Sequence, residues 1–161
     1  MVFHGTYEHV IDAKNRLAIP AGIRAQLQSE AERSGSGIEL YVTIGEGQAL
    51  CLYTKEGFER RAEELDHSEM DSDELLAYER LLFSLTQHVE PDKQGRILLP
   101  ETLLQRIGIA PRSKVVLIGA KDHLEVRDRD AWNEYVQQVL DRQPGILMNP
   151  RRAMRKRSLT A

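Results

Sequence analysis

The sequence writes one nine-residue pattern twice, as DAKNRLAIP at 12–20 and as DKQGRILLP at 92–100. Acid, arginine and proline occupy matched places, and each proline is followed by the apolar spacing of a helix, whose first turn favours proline. Further along, residues 41–58 resemble residues 115–132, with the offset changed from 80 to 74. The difference falls in a polar Gly/Ser stretch, where a loop insertion costs little. We therefore interpret the chain as a duplicated folded unit.

Each copy is predicted to form a strand, a tight turn, a strand, a short helix, two further strands and a helix. Asn15 and Gly95 share one turn position, and both residue types tolerate positive φ. Residues 71–85 are predicted to form a capped amphipathic helix between the copies. Four short strands cannot cover both faces of a sheet, so we expect the copies to interleave. The expected fold is α+β, mainly β: a pseudo-twofold β-barrel with flanking helices.

This interpretation divides the chain into four segments. They are a first unit at 6–55, a connecting helical region at 56–82, a second unit at 84–128, and a C-terminal helix with a basic tail at 129–161.

Charge is segregated along the chain, although its net value is only −3. Residues 56–79 hold ten acids against two arginines, whereas residues 151–161 hold five cations and no acid. Such segregation permits a cationic surface on an acidic molecule. The tail is either a solubilising end or an arm that adds phosphate contacts, and the sequence leaves both open.

The cellular compartment is predicted from cysteine usage and from apolar runs. The single cysteine, Cys51, lies in an apolar run, which predicts a buried structural thiol and suits a reducing cytoplasm. No apolar run could cross a bilayer, and the N-terminus lacks the pattern of a secretory signal. We therefore expect a cytoplasmic protein without a membrane partner.

The repeated acid and arginine, four residues apart, allow two interpretations. The carboxylate can accept hydrogen bonds from the turn and pair with the guanidinium, which would only stabilise the turn. Alternatively, the arginine can bond guanine in the major groove, which accepts a two-stranded ribbon, while nearby lysines contact phosphates. Spacing alone leaves both open. The candidate DNA-binding residues are Asp12, Lys14, Arg16, Asp92, Lys93 and Arg96.

Neither a metal site nor a catalytic site is predicted. His9 and His88 lie on the strands before the turns, at unequal distances from the motif acids, so no metal is assigned to them. No Ser/His/Asp arrangement, phosphate loop or dinucleotide fingerprint occurs, so we expect no cofactor, no small-molecule substrate and no catalysis. A metal-dependent nuclease stays as a rival interpretation.

At these residues the chain resembles the MraZ family, bacterial regulators of the division and cell-wall gene cluster. That family carries two SpoVT-AbrB-type swapped-hairpin units, each marked by Asp-x-x-x-Arg, which DAKNR at 12–16 and DKQGR at 92–96 match. FHGTYEHVIDAKNRLAIP and VVLIGAKDHLEVRDRDAW match as well, so the likeness covers about residues 3–140. The resemblance implies a double-split β-barrel and ring-like homo-oligomers. It also implies nucleoid-associated binding to repeated boxes of double-stranded DNA in the chain's own promoter.

The resemblance also implies roles for particular residues. Lys14 falls at a basic position of the first motif, whereas Lys93 has only the charge argument behind it. Asn15 stands where glycine is common in the family, and the tail 151–161 lies outside the likeness. An AbrB-like antitoxin, which binds DNA and a toxin partner, is the alternative function. The DNA-motif residues that the resemblance implies are Asp12, Arg16, Asp92 and Arg96.

Overall fold

The computed structural model describes residues 1–154, and the predicted order of elements is confirmed there. The first copy forms β1 Thr6–Val10, β2 Arg16–Ala18, α1 Ala21–Ser34, β3 Leu40–Gly45, β4 Ala49–Thr54 and α2 Lys55–Leu65. The connecting helix is α3 Ser72–Leu85. The second copy forms β5 Gln87–Val89, β6 Arg96–Leu98, α4 Glu101–Arg106, β7 Lys114–Gly119, β8 Leu124–Asp128 and α5 Arg129–Arg142, before α6 Pro150–Met154.

The fold is α+β, with antiparallel strand pairing throughout the described residues. The expectation of a mainly β protein is wrong, because helices hold more of these residues than strands do. Much of the excess comes from the fourteen-residue helices that follow or join the copies, whereas several strands span only three residues. Three cations of the predicted basic tail, at positions 155–157, lie outside the described residues.

Six strands form one sheet in the order β1-β7-β8-β4-β3-β5. The order is symmetric, because each copy lends its first strand to the edge of the other copy's pair: β1 pairs with β7 and β5 pairs with β3. The two copies meet at the centre, where β4 pairs with β8 and Cys51 lies opposite Glu125. The expected interleaving of the copies is confirmed.

The remaining strands, β2 and β6, form a separate two-stranded ribbon. Leu17 lies opposite Ile97 at its centre, and both side chains are fully buried. The expected β-barrel does not close through backbone pairing, since no ladder in residues 1–154 joins the ribbon to the six-stranded sheet. Each strand has only three residues, and the ladder hydrogen bonds of β2 and β6 join these two strands to one another. The ribbon and the six-stranded sheet therefore contact each other through side chains.

One continuous hydrophobic core lies between the ribbon, the helices α1 and α4, and one face of the six-stranded sheet. Side chains alternate along a strand, so Leu50 and Leu52 face this core while Cys51 and Tyr53 face the other side. Burying each large apolar side chain contributes about 1.5–3 kcal/mol. The large core side chains that are fully buried are Ile11, Leu17, Ile23, Leu40, Leu50, Leu52, Ile97, Leu99, Leu103, Leu104, Leu117 and Leu124.

The helices α2 and α3 contact the sheet at β3 and β4. Thr54 caps α2 by accepting a hydrogen bond from the backbone N–H of Gly57 at 3.1 Å. Phe58 of α2 stacks on Tyr41 of β3 at a centroid distance of 4.9 Å. Because Tyr41 lies one position from the core-facing Val42, both helices cover the sheet face opposite to the ribbon.

Residues 1–129 form one compact unit, and the described residues from 130 onward form another. In the second unit, Trp132 and Tyr135 of α5 lie with ring centroids 5.5 Å apart. A search of the helices within residues 1–154 found none that combines the length and apolarity needed to span a membrane.

Candidate nucleic-acid interface

The first repeated motif folds into a tight turn that its own carboxylate holds together. The backbone N–H of Asn15 donates to the Asp12 carbonyl at 3.1 Å, and the Asp12 N–H donates to the Arg16 carbonyl at 3.0 Å. Asp12 Oδ1 accepts the N–H groups of Lys14 and Arg16 at 2.9 and 2.8 Å. Asp12 Oδ2 accepts the Nε–H of Arg16 at 2.6 Å. One side chain therefore satisfies three donors and fixes the direction of the arginine.

The second motif repeats this geometry. Gly95 N–H donates to the Asp92 carbonyl at 3.0 Å, and Asp92 N–H donates to the Arg96 carbonyl at 2.8 Å. Asp92 Oδ1 accepts the N–H groups of Gln94 and Arg96 at 2.9 and 3.0 Å, and Oδ2 accepts the Arg96 Nε–H at 2.9 Å. The predicted left-handed turn position is confirmed in both copies, with φ of 62° at Asn15 and 75° at Gly95.

Hydrogen bonding to the ionised form lowers the pKa of both motif carboxyls. For Asp12 the largest cause of the lowered pKa is the backbone N–H of Arg16, followed after opposing desolvation by the Arg16 side chain. The pKa of Asp92 is lowered by the corresponding groups of Arg96. Both carboxylates are ionised at neutral pH and can hold the guanidinium groups in place.

The turn-stabilising and DNA-binding interpretations are compatible in this geometry. Within each guanidinium group, the carboxylate engages only the Nε atom. Within residues 1–154, no protein acceptor is assigned to the terminal amino groups of Arg16 or Arg96. About a third of each arginine side chain is exposed, at 31% in both copies. Each guanidinium is oriented at one edge and available for bidentate hydrogen bonding at the other.

The ribbon places both arginines on the same outward face. Arg16 lies opposite Leu98, and Arg96 lies opposite Ala18, while the intervening Leu17 and its partner point into the core. Diagonal neighbours of this kind have Cα atoms roughly 7–8 Å apart. Leu98, which lies opposite Arg16 on this face, is 59% exposed. The ribbon thus presents two cationic fingers and an apolar patch on one surface.

The two lysines of the motifs are exposed on the turns that flank this surface. Lys14 and Lys93 occupy different turn positions, so the cationic surface is only approximately symmetric. A cleft next to the first turn is lined by Lys14 and also by Glu90 and Glu101. Acidic side chains therefore border the cationic area on the side of Lys14.

Arg24 of α1 belongs to the same region, although the sequence analysis did not identify it. It packs over Gly95 so closely that a Cβ at this position would collide with the guanidinium. Arg24 also lines the cleft that contains Asp92 and Lys93. No spacing signal relates α1 to the second turn, because the two are brought together only by the interleaving of the copies.

Two groups of potential metal ligands occur in residues 1–154, and neither includes a residue of the turns. His88 belongs to an exposed group with Glu39 and Glu90. His9 belongs to neither. The second group lies around Cys51, which is buried as predicted.

These features define a class of protein: a two-repeat α+β protein whose interleaved copies display paired arginine-bearing turns on one ribbon. A family model described as "MraZ protein, putative antitoxin-like" matches residues 2–78 and 82–145. The chain therefore belongs to the MraZ family, as its sequence resemblance implied.

Curated relatives carry the name "Transcriptional regulator MraZ". That of Heliobacterium modesticaldum is 34% identical over 134 residues, which cover 83% of this chain and 86% of the relative. The protein from Moorella thermoacetica is 31% identical over 140 residues, covering 87% of this chain and 90% of the relative. The one from Mycoplasma mycoides subsp. mycoides SC is 29% identical over 136 residues, covering 84% and 94%. The likeness thus spans nearly the whole length of these regulators.

Proposed function

We propose that this chain is a sequence-specific DNA-binding transcription regulator whose β2–β6 ribbon enters the major groove. The observation that carries the proposal is the pair of outward arginines on one ribbon face, each oriented by its own carboxylate. The name of the relatives, transcriptional regulator, supports the same function.

In this proposal the six motif residues divide into three roles. Arg16 and Arg96 bond the O6 and N7 atoms of guanine, the commonest specific contact in the major groove. The Cα atoms of the two arginines, roughly 7–8 Å apart, fit within a groove about 12 Å wide. The exposed lysines contact phosphates and position the ribbon. Asp12 and Asp92 contact no base and act by holding the arginines.

A single ribbon of this size needs reinforcement to find one site in a genome. Each bidentate base contact discriminates by about 1–3 kcal/mol, which is small against the number of competing sites. Linking several copies raises avidity by about 10²–10⁴-fold. The proposal therefore includes a ring-like homo-oligomer that binds repeated boxes in the promoter of its own operon, within the division and cell-wall gene cluster.

The proposal extends to the protein's architecture and setting. We assign 6–55 and 84–128 as SpoVT-AbrB-like units of a double-split barrel, with 56–82 connecting them and 129–161 following. We propose no catalysis and no membrane or small-molecule partner, and a cytoplasmic, nucleoid-associated location. The regulator name of the relatives points to a protein that is not an enzyme.

The proposed function is tested by binding to the DNA upstream of the chain's own gene. Wild-type protein should retard this DNA in preference to a shuffled duplex of the same composition. The logarithm of the binding constant should fall linearly with the logarithm of the salt concentration, with a slope of about −0.9 for each phosphate neutralised. Equal affinity for the shuffled duplex, or affinity that is unchanged by salt, would contradict the proposal.

A second candidate function is that of an antitoxin-like protein, which the antitoxin-like description of the matching family favours. Such a protein would bind a toxin through its C-terminal region in addition to DNA. Co-expression with the product of each neighbouring gene distinguishes the two functions. A neighbouring product that arrests growth alone and is neutralised in a stable complex with this chain would favour the antitoxin.

A further inference from the structure

A cluster of three potential metal ligands lies at the junction between the two copies. Cys51 of β4 and Glu125 of β8 are directly opposed in the central strand pair, and His123 lies just before β8. One ligand atom from each residue lies within 4.8 Å of the other two. Cys51 is 4% exposed, and the side chains of His123 and Glu125 are 18% and 17% exposed.

The surrounding contacts fix which atoms face the centre of this cluster. Asp122 Oδ1 lies 2.6 Å from His123 Nδ1, so the imidazole is held from its far side. Arg127 Nε–H donates to Glu125 Oε2 at 2.8 Å, which engages the far carboxylate oxygen. His123 Nε2 and Glu125 Oε1 are left facing one another at 3.0 Å. Arg127 is itself anchored, because its amino groups donate to the carbonyls of Glu46 and Gly47.

We propose that Cys51, His123 and Glu125 bind one Zn²⁺ ion through Sγ, Nε2 and Oε1. Thiolate, imidazole and carboxylate are the three ligand types that Zn²⁺ takes in proteins, at about 2.0–2.3 Å. Ligand atoms gathered within 4.8 Å of one another can reach one tetrahedral ion with small side-chain movements. Three protein ligands leave the fourth position to a water molecule.

Two further observations support a metal over an ordinary hydrogen-bonded cluster. A histidine whose second nitrogen is held by a carboxylate is the usual arrangement around zinc, where the carboxylate fixes the tautomer and orients the ring. Asp122 provides this group. In addition, Thr43, the cross-strand neighbour of Cys51, has a buried hydroxyl without a hydrogen-bond partner in the described structure. A buried hydroxyl that the protein's own contacts leave unpaired therefore lies on the strand beside Cys51.

The proposed ion would join the two copies and would not touch DNA. Cys51 comes from the first copy, and His123 and Glu125 come from the second. Because Cys51 alternates with the core-facing Leu50, the cluster lies on the sheet face opposite to the ribbon. Binding Zn²⁺ would stabilise the central strand pair, and the inference stands independently of the proposed DNA contacts.

The test uses Co²⁺ as a spectroscopic substitute for Zn²⁺ on full-length protein cleared of metal with a chelator. Co²⁺ bound to a thiolate gives a sulfur-to-metal charge-transfer band in the near ultraviolet. Cys51 is the chain's single cysteine, so such a band can arise from no other residue. We expect the band to saturate at one ion per chain, to disappear on Zn²⁺ addition, and to be lost in Cys51→Ala.

Two variants separate the site from adventitious binding. Asp122→Asn should weaken Zn²⁺ binding by about 10–100-fold, the usual effect of removing a carboxylate behind a histidine ligand. His88→Ala removes the other ligand group and should leave the band unchanged. Zn²⁺ should raise the unfolding temperature of wild type and His88→Ala, and should leave that of Cys51→Ser unchanged.

The inference is overturned if metal-free wild type is folded, as judged by circular dichroism, and Co²⁺ produces no charge-transfer band. It is equally overturned if Cys51→Ala binds Zn²⁺ as tightly as wild type. In either case Cys51, His123 and Glu125 form a hydrogen-bonded cluster with a structural role.

Discussion

Removing the guanidinium of Arg16 tests whether the ribbon contacts bases. In the structure, Asp12 engages the Arg16 guanidinium through Nε, so the two terminal amino groups can bond a guanine. Losing one such contact costs about 1–3 kcal/mol, and at about 1.4 kcal/mol per tenfold binding to promoter DNA should weaken about 5–150-fold. Arg16→Lys keeps the charge but lacks the planar guanidinium, which bonds Asp12 through one edge and a guanine through the other. It should lose similar specific affinity while leaving the salt slope nearly unchanged.

Fluorescence anisotropy with labelled promoter DNA at fixed salt measures this loss, and light scattering reports the state of assembly. Arg80→Ala is the charge-matched control, since Arg80 is exposed on α3, which packs on the sheet face away from the ribbon. Arg16→Ala combined with Arg96→Ala should lose less than the sum of the single losses, because sites so close together couple. If Arg16→Ala binds as tightly as Arg80→Ala, or if it unfolds, the arginine serves only the turn.

Three further predictions concern the turns and the tail. Gly95→Ala should destabilise the fold by about 1–2 kcal/mol and displace Arg24. Asn15→Gly should stabilise the fold, because it relieves positive φ and removes a buried, unpartnered amide oxygen. Thermal unfolding measures both changes, at about 2–4 °C per kcal/mol, and equal effects at the two positions would contradict the reasoning. The pKa of Asp12 is lower in the folded protein than its ordinary 3.8, so the stability it supplies is present above pH 3.8 and is lost as pH falls through the folded pKa. The protection of the turn amides, measured as their exchange rate relative to the intrinsic rate at the same pH, should fall there in wild type and stay constant in Asp12→Asn. Truncation after Pro150 removes five cations and should reduce the salt slope while leaving preference for promoter DNA intact, as measured by competition with shuffled duplex; an unchanged slope rejects the arm.

Much of the local structure was predictable because the signals that determine it lie close together in the chain. The turn of Asp12 to Arg16 depends on one carboxylate, nearby backbone N–H groups and a residue that tolerates positive φ. The caps of α2 and α3 are likewise set by Thr54 and Asp71, which accept hydrogen bonds from backbone N–H groups two or three residues on. Duplication then extended the prediction to the second copy.

Strand partners were not predictable, because a strand's pattern shows which face is buried and does not show which strand lies beside it. The two strands that flank the first turn do not pair with each other: β1 pairs with β7, and β2 pairs with β6. That separation produced an open sheet and a separate ribbon, without the ladders that would close the expected β-barrel. It also placed Arg24 over Gly95, a contact between residues far apart in the chain.

By itself, the sequence determined the duplication, which is visible by comparing its own segments. It also determined the order of elements and the two carboxylate-held arginines, since each of these depends on residues within a few positions of one another. Only the tertiary structure decided that both arginines share one outward face and that Cys51 meets His123 and Glu125. Both results come from β-pairing between copies, whose register is set by side chains packing across the shared core.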